Sequence, residues 1–222
     1  MFDLLISLRD YLTSLPWLEL VAMLLALAYI VLAAQGSLWC WPAAFVSTAL
    51  YTVIFYDVLL LMDSALNAYY LIMAVYGYWV WQKNMLPNTE GGSQSKSVPL
   101  AIVSWSVNTH VKACMALTVI SFVLGYVIAN YTPASFPYLD TFTTVYAIFA
   151  TYLVTQKVLE NWLYWVVIDA VSIYLYIEKG LIPTTVLFII YVIIAIYGYF
   201  KWKAIYKQSN TTEIKLSDVV TG

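Results

Sequence analysis

The chain has 222 residues, of which 63% are apolar and only 10% charged, with a formal net charge of −2. A soluble domain carries roughly 25% charged residues, so this composition argues against a water-soluble globule and places the chain in a lipid bilayer. A mean hydropathy of +0.81 says the same.

Residues 1–17, MFDLLISLRDYLTSLPW, mix Asp3, Arg9 and Asp10 with apolar side chains and lack a basic leader and a small-residue cleavage site. They read as a short interfacial helix ended near Pro16 rather than a signal peptide. Apolar runs of the length that spans hydrocarbon, about twenty residues, follow at Leu18–Gln35, Trp39–Tyr56, Met62–Gln82, Val111–Asn130, Leu139–Gln156, Trp162–Ile177 and Pro183–Phe200. The expected fold is therefore all-α, with seven transmembrane helices. Residues 84–110 form a linker whose stretch NMLPNTEGGSQSKSVP, rich in Gly, Ser and Pro, is expected to be flexible. The polar tail within residues 205–222 is expected to be disordered from Gln208 on.

Two of these runs end on nearly the same phrase, YGYWVWQK from Tyr76 and YGYFKWKA from Tyr197, an offset of 197 − 76 = 121 residues. The same offset, without gaps, sets Tyr70 on Tyr191, Trp41 on Trp162, Gln35 on Gln156, Leu38 on Leu159 and Ala74 on Ala195. Chance matches in apolar segments involve Leu and Ala, whereas Gln, Trp and Tyr are informative, so residues 18–83 and 139–204 read as a duplication. Each copy holds three spans and one span, 111–130, stands between, which makes the repeats parallel. The phrase itself reads as a headgroup-level anchor of Tyr and Trp followed by lysine. Basic residues give orientation. Lys83, Lys96, Lys112, Lys157, Lys201, Lys203, Lys207 and Lys215 fall on one side, against Arg9 and Lys179 on the other, which puts the N-terminus outside and the C-terminus in the cytoplasm.

Little enzymatic chemistry is open to such a chain. One histidine, His110, and two lone cysteines, Cys40 and Cys114, make no metal or haem ligand set and read as filler near or within helices. Neither a G-x-x-x-x-G-K-[ST] nor a G-x-G-x-x-G loop occurs, so no nucleotide-driven pumping by this chain alone, no cofactor and no nucleic-acid partner are expected. An intramembrane enzyme would need paired deep carboxylates, and Asp169 is the only deep one. A retinal-type photoprotein would need a lysine within the last span, whereas Lys201 and Lys203 lie beyond it.

The sixth span is the least ordinary. Trp162, Trp165, Asp169 and Tyr176 are spaced by three, four and seven and form one helical stripe. A carboxylate at mid-span costs on the order of 3 kcal/mol unless it meets water, a ligand or a partner. Flat π faces around it suit a planar cationic ring. Against that stand interface anchoring for Trp162 and helix-to-helix hydrogen bonding for Asp169. The repeat supplies a contrast, because Trp165 pairs with Ala44, Asp169 with Thr48 and Tyr176 with Phe55. In the third span the asymmetry is reversed, with Asn67 on Phe188 and Asp63 on Thr184, and Asp63, Asn67, Tyr70, Ala74 and Tyr78 sharing a face. Asn67 offers an amide for a hydroxyl or carboxamide, or for a neighbouring helix. Gln35 and Gln156 end their spans as gate or cap.

The three-plus-one-plus-three arrangement, N-W-x-x-W at Asn161, Trp162 and Trp165 with Tyr176 beyond, and N-A-Y-Y at Asn67–Tyr70 resemble the PnuC family of bacterial vitamin transporters, over essentially the whole chain. That resemblance implies a SWEET-like fold and facilitated uptake, across a bacterial inner membrane, of nicotinamide riboside or, in sister branches, thiamine, riboflavin or deoxynucleosides. It further implies a cytoplasmic kinase that traps the product and a homotrimer. Pocket walls would come from Trp162, Trp165 and Tyr176, with Asn67 and Tyr70 hydrogen-bonding and Asn161 and Asp169 at the same site. Proton coupling through Asp169 is the alternative mechanism.

Overall fold

A computed structural model of the chain describes residues 17–57, 61–83, 101–132 and 136–221. The expected interfacial segment, apart from Trp17, and the linker stretch 84–99 lie outside the described residues. Seven α-helices are present among the described residues: α1 (Trp17–Ala34), α2 (Cys40–Asp57), α3 (Leu61–Lys83), α4 (Val107–Tyr131), α5 (Pro137–Thr155), α6 (Asn161–Glu178) and α7 (Ile182–Thr221). By length and composition α1, α4 and the Thr184–Thr211 part of α7 are able to cross a membrane, and Cys40–Tyr56 is a shorter apolar helix.

Two boundaries differ from the sequence expectation. Helix α4 starts a turn earlier than residue 111 because Ser106 caps it, its hydroxyl accepting the Thr109 N–H at 3.3 Å. The tail is not disordered as expected: α7 continues as helix to Thr221. Between Gly198 and Gly222 there is no glycine or proline to stop it, and Lys, Gln and Glu are tolerant of helix.

Helix packing closes a ring. Contacts run α1 to α2, α2 to α3, α3 to α5, α5 to α6, α6 to α7 and α7 back to α1, and α4 packs outside on α5. One end of this ring carries the α1–α2 and α5–α6 turns, the end of α3 and the cluster Lys83, Lys157, Lys201, Lys203 and Lys207; we call it the basic end. The opposite end carries the Lys179–Asp140 ion pair, 3.3 Å.

The basic end is sealed by four buried indoles. Trp41 meets Trp81 edge-on at 5.2 Å, Trp162 meets Trp202 edge-on at 5.4 Å, and Trp81 faces Trp202 at 6.3 Å. Alanines 33, 34, 44, 74 and 195 fill the gaps between them. The glycine of each YGY phrase makes room: a Cβ on Gly77 would lie 2.4 Å from the Trp41 ring, and one on Gly198 2.7 Å from the Trp162 ring. Tyr76, Tyr78 and Tyr197 point outward, as an anchor requires, but Gly and Trp of the phrase are the packing surface of the seal.

Candidate functional site

Helix α6 presents its stripe to the ring interior, with Asn161, Trp162, Ile168, Asp169, Ser172 and Leu175 buried. The stripe runs through two environments. Asn161 and Trp162 belong to the seal. The Asn161 amide donates to the Val158 carbonyl at 2.6 Å and so braces the α5–α6 turn. Trp162 packs edge-on against Trp202 and flat on Gly198. Seven residues further along, about 10 Å at helical rise, comes Asp169, 4% exposed.

Around Asp169 the ring supplies hydroxyls. Tyr70 of α3 and Tyr191 of α7 both lie within electrostatic range of its carboxylate, and Tyr176 acts on both tyrosines. Tyr51 of α2 acts on Tyr191, and Tyr70 acts on Tyr29 of α1. Trp165, half-buried and one turn before Asp169 on α6, packs against both the seal and the aromatic core of α5 and α6. Among the described residues the ion pairs are His110–Glu160 and Lys179–Asp140, and Asp169 is in neither. The groups gathered here are one carboxylate, tyrosine hydroxyls and the aromatic faces of Trp165 and Tyr176, chemistry that suits cations, hydroxyl groups and flat rings in general.

Of the residues named from sequence, Asp169, Tyr176 and Tyr70 are brought together, with Trp165 adjoining and Asn67 half-buried on the face of α3 that carries Tyr70. Asn161 and Trp162 are not brought to them. Tyr78 is 36% exposed, and the side chain of Asp63 is outside the described residues. Gln156 donates its side-chain amide to the Tyr76 hydroxyl of neighbouring α3 at 3.1 Å, whereas its counterpart Gln35 is exposed. Two apolar crevices, of about 140 and 460 Å³, lie against α4–α5 and α5–α6, and neither is lined by any of these residues.

Sequence reasoning missed Tyr191, Tyr51 and Tyr29, and it also missed a polar clamp at the basic end. Glu160 accepts from the Ser104 hydroxyl at 2.5 Å and the Trp105 N–H at 3.3 Å, and pairs with His110 at 3.5 Å. The His110 ring also meets the Tyr164 hydroxyl at 3.0 Å, so the lone histidine is not filler. This clamp straps residues 101–106 along the α5–α6 turn, where Val103 N–H donates to Lys157 and Leu159 N–H donates back to Val103. No spacing in the sequence connects Ser104 and His110 with Glu160, which lies 56 positions after Ser104, so the clamp had no signal of its own there.

A closed helical ring with a polar, aromatic girdle midway along it and a sealed end is the build of a multi-pass membrane transporter rather than of an enzyme. The chain belongs to the nicotinamide mononucleotide transporter family, whose model matches residues 16–204. It is 25% identical over 206 residues to the nicotinamide riboside transporter PnuC of Escherichia coli (strain K12), with 85% of this chain and 86% of that one covered. It is also 25% identical over 187 residues to the riboflavin/roseoflavin transporter RibM of Streptomyces davaonensis, with 84% of each chain covered. Its fold is similar to the crystal structure of the vitamin B3 transporter PnuC, with a TM-score of 0.70, 22% identity, and 93% and 90% of the two chains covered.

Proposed function

We propose that the chain takes up a vitamin or cofactor precursor bearing a flat aromatic ring, with nicotinamide riboside first, by facilitated diffusion. One observation carries this reading: Asp169, buried on α6, lies within electrostatic range of both Tyr70 of α3 and Tyr191 of α7, with Trp165 toward the seal. A cationic pyridinium ring with sugar hydroxyls matches that set of groups. The names of the PnuC relatives support the same substrate. Riboflavin is the second reading, favoured by the similarity to RibM, and it lacks the charge that Asp169 would answer. Thiamine, an aromatic cation, satisfies the same groups as nicotinamide riboside.

The working unit is two parallel three-helix bundles, α1–α3 and α5–α7, joined by α4, with the basic end in the cytoplasm and the N-terminus outside. Support comes from the matching contacts α1 to α7 and α5 to α3, and from the two indole pairs 121 positions apart. Rocking of one bundle against the other gives alternating access. Assembly into a homotrimer in a bacterial inner membrane and trapping by a cytoplasmic kinase complete the reading by family resemblance. Reconstituted vesicles test it: nicotinamide riboside should accumulate to equilibrium at a rate unchanged when the proton gradient is collapsed. Uptake abolished by that collapse and by Asp169→Asn would instead support proton coupling.

A further inference from the structure

Lys157 is the one non-glycine residue among the described residues with a left-handed backbone, φ 50. The residue 121 positions earlier is Gly36, φ +71, where the same turn meets no Cβ strain. A strained residue persists only where its surroundings fix it. They do here: the Lys157 carbonyl accepts the Val103 N–H at 3.1 Å and its own N–H donates to Val154 at 3.0 Å. Its side chain is buried, 5% exposed, although it carries a charge at the end of the molecule where water is nearest.

The ammonium lies 4.2 Å from the centroid of Trp81, on α3 of the other bundle. That ring is held in place by its own N–H, which donates to the Thr155 carbonyl at 3.1 Å. No carboxylate answers the charge among the described residues, where the ion pairs are His110–Glu160 and Lys179–Asp140. An aromatic face returns only part of the hydration an ammonium loses on burial. Burial accordingly pushes the ammonium down to about 8, against a smaller opposing effect of Cys40.

We propose that Lys157 loads the closed cytoplasmic gate: when the bundles part, its ammonium leaves Trp81 for water, so the buried charge favours opening and release of substrate on that side. Lys157 is thus a positioning residue for the transport cycle, and it acts from one bundle only, because Gly36 has no side chain to match it. The proposal rests on the rocking of two bundles described above.

Cys40 is a built-in reporter, fully buried in the seal and within electrostatic range of Lys157. In a Cys114→Ser background it is the single thiol of the chain. The experiment exposes the cytoplasmic face of inside-out vesicles to a membrane-impermeant maleimide and follows modification of Cys40 alongside uptake. Lys157→Met should slow modification by about tenfold, the equivalent of one unit of pKa, and Lys157→Arg, which keeps the charge, should restore the rate. Lys157→Gln gives the same slowing if the Met variant fails to insert. Modification in Lys157→Met as fast as in the parent, or faster, while uptake continues overturns this inference alone. Cys40 inert in every variant, with uptake intact, overturns both the inference and the rocking of bundles.

Discussion

Trp81 donates its indole N–H to the carbonyl of Thr155 at 3.1 Å, tying the end of α3 to the end of α5. Trp202 does the corresponding thing to Ala33 at 3.2 Å, tying α7 to α1. Both bonds join one of the first three helices to one of the last three at the basic end, and both indoles are fully buried. Replacing either Trp by Phe keeps an aromatic ring but leaves a buried carbonyl without its donor. Each substitution should cost about 1–3 kcal/mol of stability, seen as a lower melting temperature in detergent.

The glycines of the two YGY phrases are expected to be intolerant for the same steric reason. Gly77→Ala and Gly198→Ala would each drive a methyl group into an indole that is itself buried in the seal. A loss of about 1–3 kcal/mol is expected for each. Pairing Gly77→Ala with Trp41→Leu should recover part of it, since the clash is with that ring. Full tolerance of Gly198→Ala in a thermal melt would show that the seal is softer than it looks.

Much of this architecture was legible in the sequence. Seven apolar runs, the repeated phrase and the offset of 121 appear in the residues, because helix length and side-chain type report burial directly. Gly77 is readable as a site of close helix approach, but the identity of the approaching group, the Trp41 ring, is not, since that ring comes from another helix. Helical periodicity put Trp162 and Asp169 on one face of α6 correctly. It says nothing about depth, and depth assigns Trp162 to the seal and Asp169 to the girdle. Tyr191 enters the sequence reading only as the counterpart of Tyr70, because nothing in one sequence says that α3 and α7 both come within electrostatic range of Asp169.

Glu160 should control the strap at residues 101–106. Glu160→Ala removes the acceptor for Ser104 and Trp105 and the partner of His110. Amide exchange at Val103 and Leu159, whose N–H groups bond across the strap, should accelerate by about tenfold or more as local opening becomes easier. Unchanged protection at both amides would mean that the backbone bonds hold the strap alone.

The buried lysine gives a pH dependence of known sign. The Lys157 ammonium is held down to about 8 from its ordinary 10.5 by burial, with Cys40 the titratable group acting on it. The unfolded chain therefore binds more protons than the folded one between those values, and stability from this group rises as pH climbs through about 8 to 10.5. Melting temperatures of the parent and Lys157→Met should converge, or cross in favour of the parent, between pH 7 and pH about 10. A difference that stays constant across that range contradicts the burial of the charge.

Asp169 is the residue through which charge selectivity should act. Asp169→Asn keeps the shape of the side chain and removes its charge. Affinity for cationic nicotinamide riboside should fall by about tenfold, while any affinity for neutral riboflavin should be little changed. Equal losses for both ligands would assign Asp169 to holding helices together.

The most direct test is a tryptophan-quenching titration of the purified chain with nicotinamide riboside, run beside Trp165→Phe and Trp162→Phe. Binding at the girdle predicts saturable quenching that Trp165→Phe largely removes and Trp162→Phe, altered only in the seal, largely keeps. Quenching lost with Trp162 and kept without Trp165 would place the ligand at the basic end and contradict the site described around Asp169.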